Sequence, residues 1–235
     1  MPFTFDQSEV SYRYSRPKGA CQGLSAAWLK MMREGVDDAT KKERLLGAAT
    51  EMRQLVATVY ASTGRALERH EAGELKAAKH AFRGVTIKPT GSIGGTTPMP
   101  APTPFTPVES RALEGQLRSL CAFAEPGQIG DRGPAGLMDV IGAIFDFPTS
   151  GTTYRYISWK SAVGGDHAGH ATAAVLQPDR MWFFDPNTGE SEFGASEKQA
   201  FVTHLLTSLQ GLGFDLSSGL QNIQFGIFYT IDFQV

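Results

Sequence analysis

His170-Ala171-Thr172-Ala173-Ala174-Val175-Leu176-Gln177-Pro178-Asp179-Arg180-Met181-Trp182-Phe183-Phe184-Asp185-Pro186-Asn187 reads as two apolar segments around a Pro-Asp turn. A two-residue loop at Pro178-Asp179 makes the stretch an antiparallel hairpin. Gln177 then faces Arg180, Leu176 faces Met181 and Ala174 faces Phe183. Carried outward, the register sets Thr172 opposite Asp185 and His170 opposite Asn187. Side chains alternate across a sheet, so His170, Thr172 and Asp185 share a face. His170 and Asp185 are diagonal neighbours on it, within reach of a side-chain hydrogen bond. His167 has the opposite parity, and a one-residue slip would reverse every assignment. A carboxylate so placed fixes the tautomer of an imidazole and stabilises its protonated form. The plainer alternative is a hairpin that merely ends in polar residues.

Outward from the hairpin, strands are expected at 152–160, 170–177 and 180–185. A helix at 196–209 turns Phe201, Leu205, Leu206 and Leu209 inward, and 223–235 closes the chain as a long strand or a bent strand pair. Upstream the pattern is helical. A short helix falls in 135–146, after a Gly-rich turn that follows Pro126-Gly127. A longer helix at 108–124 carries Val108, Ala112, Leu113, Leu117, Leu120, Cys121 and Ala124 on one stripe. Asp37 or Asp38 caps a helix striped by Leu45, Leu46, Ala49, Met52, Val56, Val59 and Tyr60, and a further helix passes through Leu75, Ala78 and Phe82. Between them and the 108–124 helix, 84–107 is rich in Gly, Pro and Thr, which marks a surface loop. In the irregular stretch 1–18, Phe3, Phe5, Tyr12 and Tyr14 are available to pack onto the body. Helices first and antiparallel strands second argue for a single α+β domain over 1–235, with the helices on one side of a sheet.

The 235 residues, 41% hydrophobic and 20% charged, suit a globular domain with a real core. Net charge is −2 but uneven: residues 1–90 hold 15 basic and 10 acidic side chains, and residues 91–235 hold 7 and 14. No dense Lys/Arg block with interleaved aromatics suggests nucleic acid. No apolar run is long enough to span a membrane, and no cleavable leader opens the chain. Two cysteines make no disulfide framework, so a reduced protein is expected, and five scattered histidines give no zinc spacing. No cofactor motif is present.

The second informative stretch is Gly19-Ala20-Cys21-Gln22-Gly23-Leu24-Ser25-Ala26-Ala27-Trp28-Leu29. Leu24, Ala27, Trp28, Met31 and Met32 recur at helical spacing, and Gly35 is a natural stop. Cys21 therefore belongs in or just before the first turn, near unsatisfied backbone N–H groups and the positive end of the helix dipole, which favours thiolate over thiol. The same position also suits a buried structural cysteine. Cys121, on its apolar stripe, is read as core.

Three motifs in order, Gly19-x-Cys21-x-Gly23-Leu24-Ser25-x-x-Trp28-Leu29, the His170-Ala171 strand, and Phe183-Phe184-Asp185-Pro186-Asn187-x-Gly189-Glu190, resemble the YopT/AvrPphB-type cysteine proteases. The resemblance covers the Cys21 helix and about 167–193. It implies a papain-like fold in which Cys21 is the nucleophile, His170 the general base and then acid, and Asp185 the orienting carboxylate. It also implies a bacterial effector or toxin, exported without a cleavable signal or released as a module of a larger toxin. Its protein substrate would lie in the target-cell cytoplasm, with a cognate inhibitor or immunity protein as a further partner. The Cys21 backbone N–H would serve the oxyanion. Papain-like enzymes usually add an Asn or Gln side chain a few residues before the cysteine, whereas Tyr14-Ser15-Arg16-Pro17-Lys18 has neither, which leaves the side-chain donor open between Arg16, Ser15 and a residue elsewhere in the chain. The same triad also suits acyl transfer or deamidation, and an inactive relative would use the cleft only to bind a partner.

Overall fold

The computed structural model describes residues 2–6, 20–47, 107–161, 169–211, 219 and 223–235. Among the described residues three helices come first: α1 (Ala20–Arg33), α2 (from 38, described to 47) and α3 (Pro107–Cys121). Strand β1 (Gln128–Gly136) runs straight into α4 (Leu137–Ile144). Then follow β2 (Thr153–Ser161), β3 (Gly169–Gln177), β4 (Arg180–Asp185), β5 (Gly189–Gly194), α5 (Lys198–Gly211) and β6 (Gln224–Gln234). The strands form one antiparallel sheet in the order β1-β6-β2-β3-β4-β5. The α+β class is as expected, with the N-terminal helices packed on the sheet.

The helices do not all lie on one side, however. Leu24, Trp28, Leu45, Leu113 and Leu117 pack with Tyr154, Tyr156, Phe184, Ile231 and Phe233 on one face. On the other, Val140, Ile141 and Ile144 of α4 and Phe201, Leu205 and Leu209 of α5 pack with Ile157, Trp159, Phe183, Phe225 and Phe228. Ala171–Leu176 and Met181–Phe184 are nearly unbroken apolar runs, the pattern of strands buried on both faces.

The helix ends follow local chemistry. Asp37 is the cap of α2, accepting the Thr40 backbone N–H at 3.0 Å and its hydroxyl at 2.7 Å. Gly35, at φ 67°, ends α1: Gly35 N–H bonds Met32 C=O at 3.2 Å and Val36 N–H bonds Met31 C=O at 3.0 Å. The end of α4 is held from outside by Arg155 on β2. Its guanidinium grips both Asp232 oxygens at 2.8 and 2.7 Å and donates to the carbonyls of Ala143 and Ile144.

Two strands depart from expectation. The Gly-rich turn after Pro126-Gly127 is β1, an edge strand with register shifts between Asp131 and Gly133 and between Gly133 and Ala135. Irregular edges accommodate the glycines and Pro134 of this segment. Strand β5 is the opposite edge. At its start Gly189 takes φ 101°, and the N-terminal segment lies against it, with Glu190 N–H bonding Phe3 C=O at 2.9 Å. Phe3 and Phe5 pack on Phe184. Helix α3 ends at Cys121 rather than 124. The helix expected through Leu75–Phe82, the extension of α2 to about 63, residues 84–106 of the expected loop, Tyr12 and Tyr14 lie outside the described residues.

Candidate active site

Cys21 is the second residue of α1 and only 5% exposed. The helix is buried nearly all round, since Ser25, Ala26 and Leu29 are as enclosed as Leu24, Ala27 and Trp28. One stripe was the expectation; α1 instead lies between the sheet and α3, so small residues are needed on the remaining faces. Ser25, one turn after Cys21, donates its hydroxyl to the Ala171 carbonyl at 3.0 Å. That bond fixes α1 against β3 at the residue next to His170.

The hairpin has the anticipated register: Gln177 pairs with Arg180, Leu176 with Met181, Ala174 with Phe183, and pairing reaches Ala173 and Phe184. Beyond it the diagonal closes, with His170 Nε2 2.9 Å from Asp185 Oδ1. His170 is 3% exposed and Asp185 fully buried. Trp159, opposite His170 on β2, leans on its ring at 5.7 Å between centroids. Thr172 is on the same face, its hydroxyl without a partner among the described residues.

Since Nε2 is taken by Asp185, Nδ1 is the ring nitrogen left for Cys21, whose sulfur is near enough to help raise the imidazole pKa. Burial opposes a charge on His170, but the Asp185 carboxylate and the hydrogen bonds to Asp185 and Cys21 prevail and raise its pKa to about 10. Burial likewise acts to raise Asp185. The charge on His170 and hydrogen bonds from His170, Ser208 and the Asn187 backbone N–H outweigh it, holding the carboxyl below the usual 3.8. The site thus brings together a thiol, an imidazole whose pKa is raised and a buried carboxylate behind the imidazole.

Asn187 does not sit opposite His170. The chain turns after Asp185, whose carbonyl accepts Thr188 N–H at 3.0 Å and whose Oδ1 accepts the Asn187 backbone N–H at 2.8 Å. Ser208 of α5 was not anticipated: its hydroxyl donates to Asp185 Oδ2. The available signal was a polar residue on the apolar stripe Phe201, Leu205, Leu209. Glu190 was also missed as a structural link. It is buried, and its Oε2 accepts Trp28 Nε1–H at 2.6 Å and Lys41 Nζ at 2.7 Å, tying α1, α2 and β5 together under the site. Ser15, Arg16 and His167 lie outside the described residues. Cys121 is buried in the core, and burial pushes its thiol up to about 12. Among the described residues no group of three or more His, Cys, Asp or Glu is placed to hold a metal, and no helix is long and apolar enough to cross a membrane.

No protein-family model and no curated protein matches the chain. Among solved structures, the Pseudomonas avirulence protein AvrPphB is 16% identical with a TM-score of 0.44, over 97% of this chain and 98% of that one. A ubiquitin-specific protease encoded by a murine cytomegalovirus tegument protein, in complex with a ubiquitin-based suicide substrate, is 11% identical with a TM-score of 0.36, over 98% and 84%. TM-scores below 0.5 do not establish a shared fold.

Proposed function

We propose that this protein is a papain-like thiol endopeptidase acting on protein substrates through Cys21, His170 and Asp185. One observation supports the reading above the rest: His170 is bound by a buried carboxylate at Nε2, and its pKa is raised by that carboxylate and by the Cys21 sulfur at the start of α1. In this mechanism His170 takes the Cys21 proton and the sulfur attacks the scissile carbonyl carbon. The C=O electron pair moves to oxygen, facing the Cys21 backbone N–H at the helix N-terminus. The intermediate collapses, the C–N bond breaks, and His170 gives its proton to the leaving amine. Water activated by His170 then splits the thioester, releasing the acid and restoring the thiol. Asp185 stays ionised and keeps Nδ1 turned to sulfur. Ser15 or Arg16 is the proposed side-chain donor to the oxyanion. The motif resemblance extends the proposal to an exported effector whose substrate lies in a target cell.

Expression of wild type and Cys21→Ala in candidate target cells, followed by a search for new protein N-termini, tests this. Cleavage that depends on Cys21 is expected, and equal cleavage by both proteins overturns the reading. An amine adduct at the acyl carbon, in place of a free acid, would redirect it to acyl transfer.

A further inference from the structure

We infer that Ser208 is a positioning residue of this site: its hydroxyl holds the second oxygen of Asp185, so that α5 sets the carboxylate that orients His170. The inference rests on the thiol-peptidase reading. The two oxygens of Asp185 are used differently. Oδ1 receives both His170 Nε2 and the Asn187 backbone N–H, at 2.9 and 2.8 Å. Oδ2 receives the Ser208 hydroxyl, its one donor among the described residues. Asp185 is fully buried, so water cannot replace a missing donor cheaply. With Oδ2 unpaired the carboxyl would gain by turning or by taking up a proton, and either change loosens His170.

The placement of Ser208 argues against a packing role. Phe201 anchors α5 against Phe145, Phe183 and Phe193, with ring centroids 5.4, 5.3 and 5.5 Å away. Leu205 and Leu209 continue that buried stripe, and Ser208 is its polar interruption. Alanine forms helix better and would fill an apolar position as well. A hydroxyl there is explained by the anion it meets. The titratable groups facing the carboxylate are His170 from β3, Cys21 behind it from α1, and His204 from α5 itself, one turn before Ser208. Burial lowers the pKa of His204, with the Asp185 charge opposing, and its Nε2 is without a partner among the described residues.

The readout is the ionisation of His170, followed by its own ring resonances and by iodoacetate alkylation of Cys21. Iodoacetate is an anion drawn by the imidazolium, so its rate falls as His170 loses its proton. In Ser208→Ala the alkaline limb should move down by at least one pH unit, which slows alkylation at least fivefold on that limb. Ser208→Thr, which keeps the hydroxyl, should recover it. Superimposable profiles for wild type and a folded Ser208→Ala overturn the inference. In the wild-type protein itself, the Ser208 hydroxyl proton should exchange slowly and its resonance should follow the His170 titration. A hydroxyl proton indifferent to that titration overturns the inference without any variant. Neither readout needs a cleaved substrate. A wild type with no alkaline limb above that of free histidine overturns the catalytic reading, whereas an intact limb unmoved by Ser208→Ala overturns only the role of Ser208.

Discussion

Asp185 and Asn187 are both bound to the histidine's surroundings, yet they act through different atoms. Asp185 contributes its side chain, whereas the bond from Asn187 to the carboxylate is made by a backbone N–H that any residue but proline supplies. Asp185→Ala should therefore lower kcat/KM at least tenfold, about 1.4 kcal/mol of transition-state stabilisation, and Asn187→Ala should cost less. A larger loss at Asn187, with both variants folded, would contradict this. The pair also sets pH dependence. His170, at about 10 in place of 6.5, adds stability that is fully present below pH 6.5 and lost as the pH rises through about 10. Asp185, held below 3.8, adds stability present above pH 3.8 and lost as the pH falls through its lower folded value. In Asp185→Asn the alkaline limb of activity should retreat from about 10 toward 6.5, read from a pH–rate profile. Cys121 offers the complementary check. With its thiol pushed up to about 12 by burial, it should resist alkylation at neutral pH while Cys21 reacts, as peptide mapping by mass would show.

Strands and helices were legible where their periodicity was unmixed. The β3–β4 register follows from one Pro-Asp turn and two apolar runs, so the His170–Asp185 diagonal is readable before any coordinates. β1 is not, because an edge strand tolerates the glycines and proline that ordinarily signal a loop, and β5, with a glycine at each end and Glu190 and Glu192 between them, has no apolar run to announce it. Arg155 is illegible for another reason: its partners, Asp232 and the last carbonyls of α4, are distant in the chain and meet only in three dimensions. It joins β2, β6 and α4 through a planar fork that lysine cannot reproduce. Arg155→Lys should destabilise the fold by about 2 kcal/mol or more, since Asp232 loses a bidentate partner and the helix end its donors. Denaturant unfolding would measure it, and a loss under 0.5 kcal/mol would show that the fork is dispensable.

Across the whole molecule the site joins two layers on opposite faces of the sheet. The helix bearing Cys21 belongs to the core of Leu113, Leu117 and Tyr156, and Ser208 rides on the helix of the other core. The buried Lys41–Glu190 pair, with Trp28 bonded to the same carboxylate, ties the first layer to β5. Removing one charge from such a pair costs more than removing both. Lys41→Met should therefore cost about 3 kcal/mol, and Glu190→Gln added to it should recover part of that loss; a strictly additive double mutant in a thermodynamic cycle would refute the coupling.

Strand β6 is the last of the sequence and second in the sheet, with β1 on one side and β2 on the other. Until it is in place, β1 has no strand to bond to and β2 is open along one edge. On a ribosome, then, the chain emerges with Cys21, His170, Asp185 and Ser208 all present but with its sheet in two pieces. The working arrangement forms only when residues 224–234 clear the exit tunnel. A nascent chain stalled before that point should leave Cys21 as reactive as any free thiol.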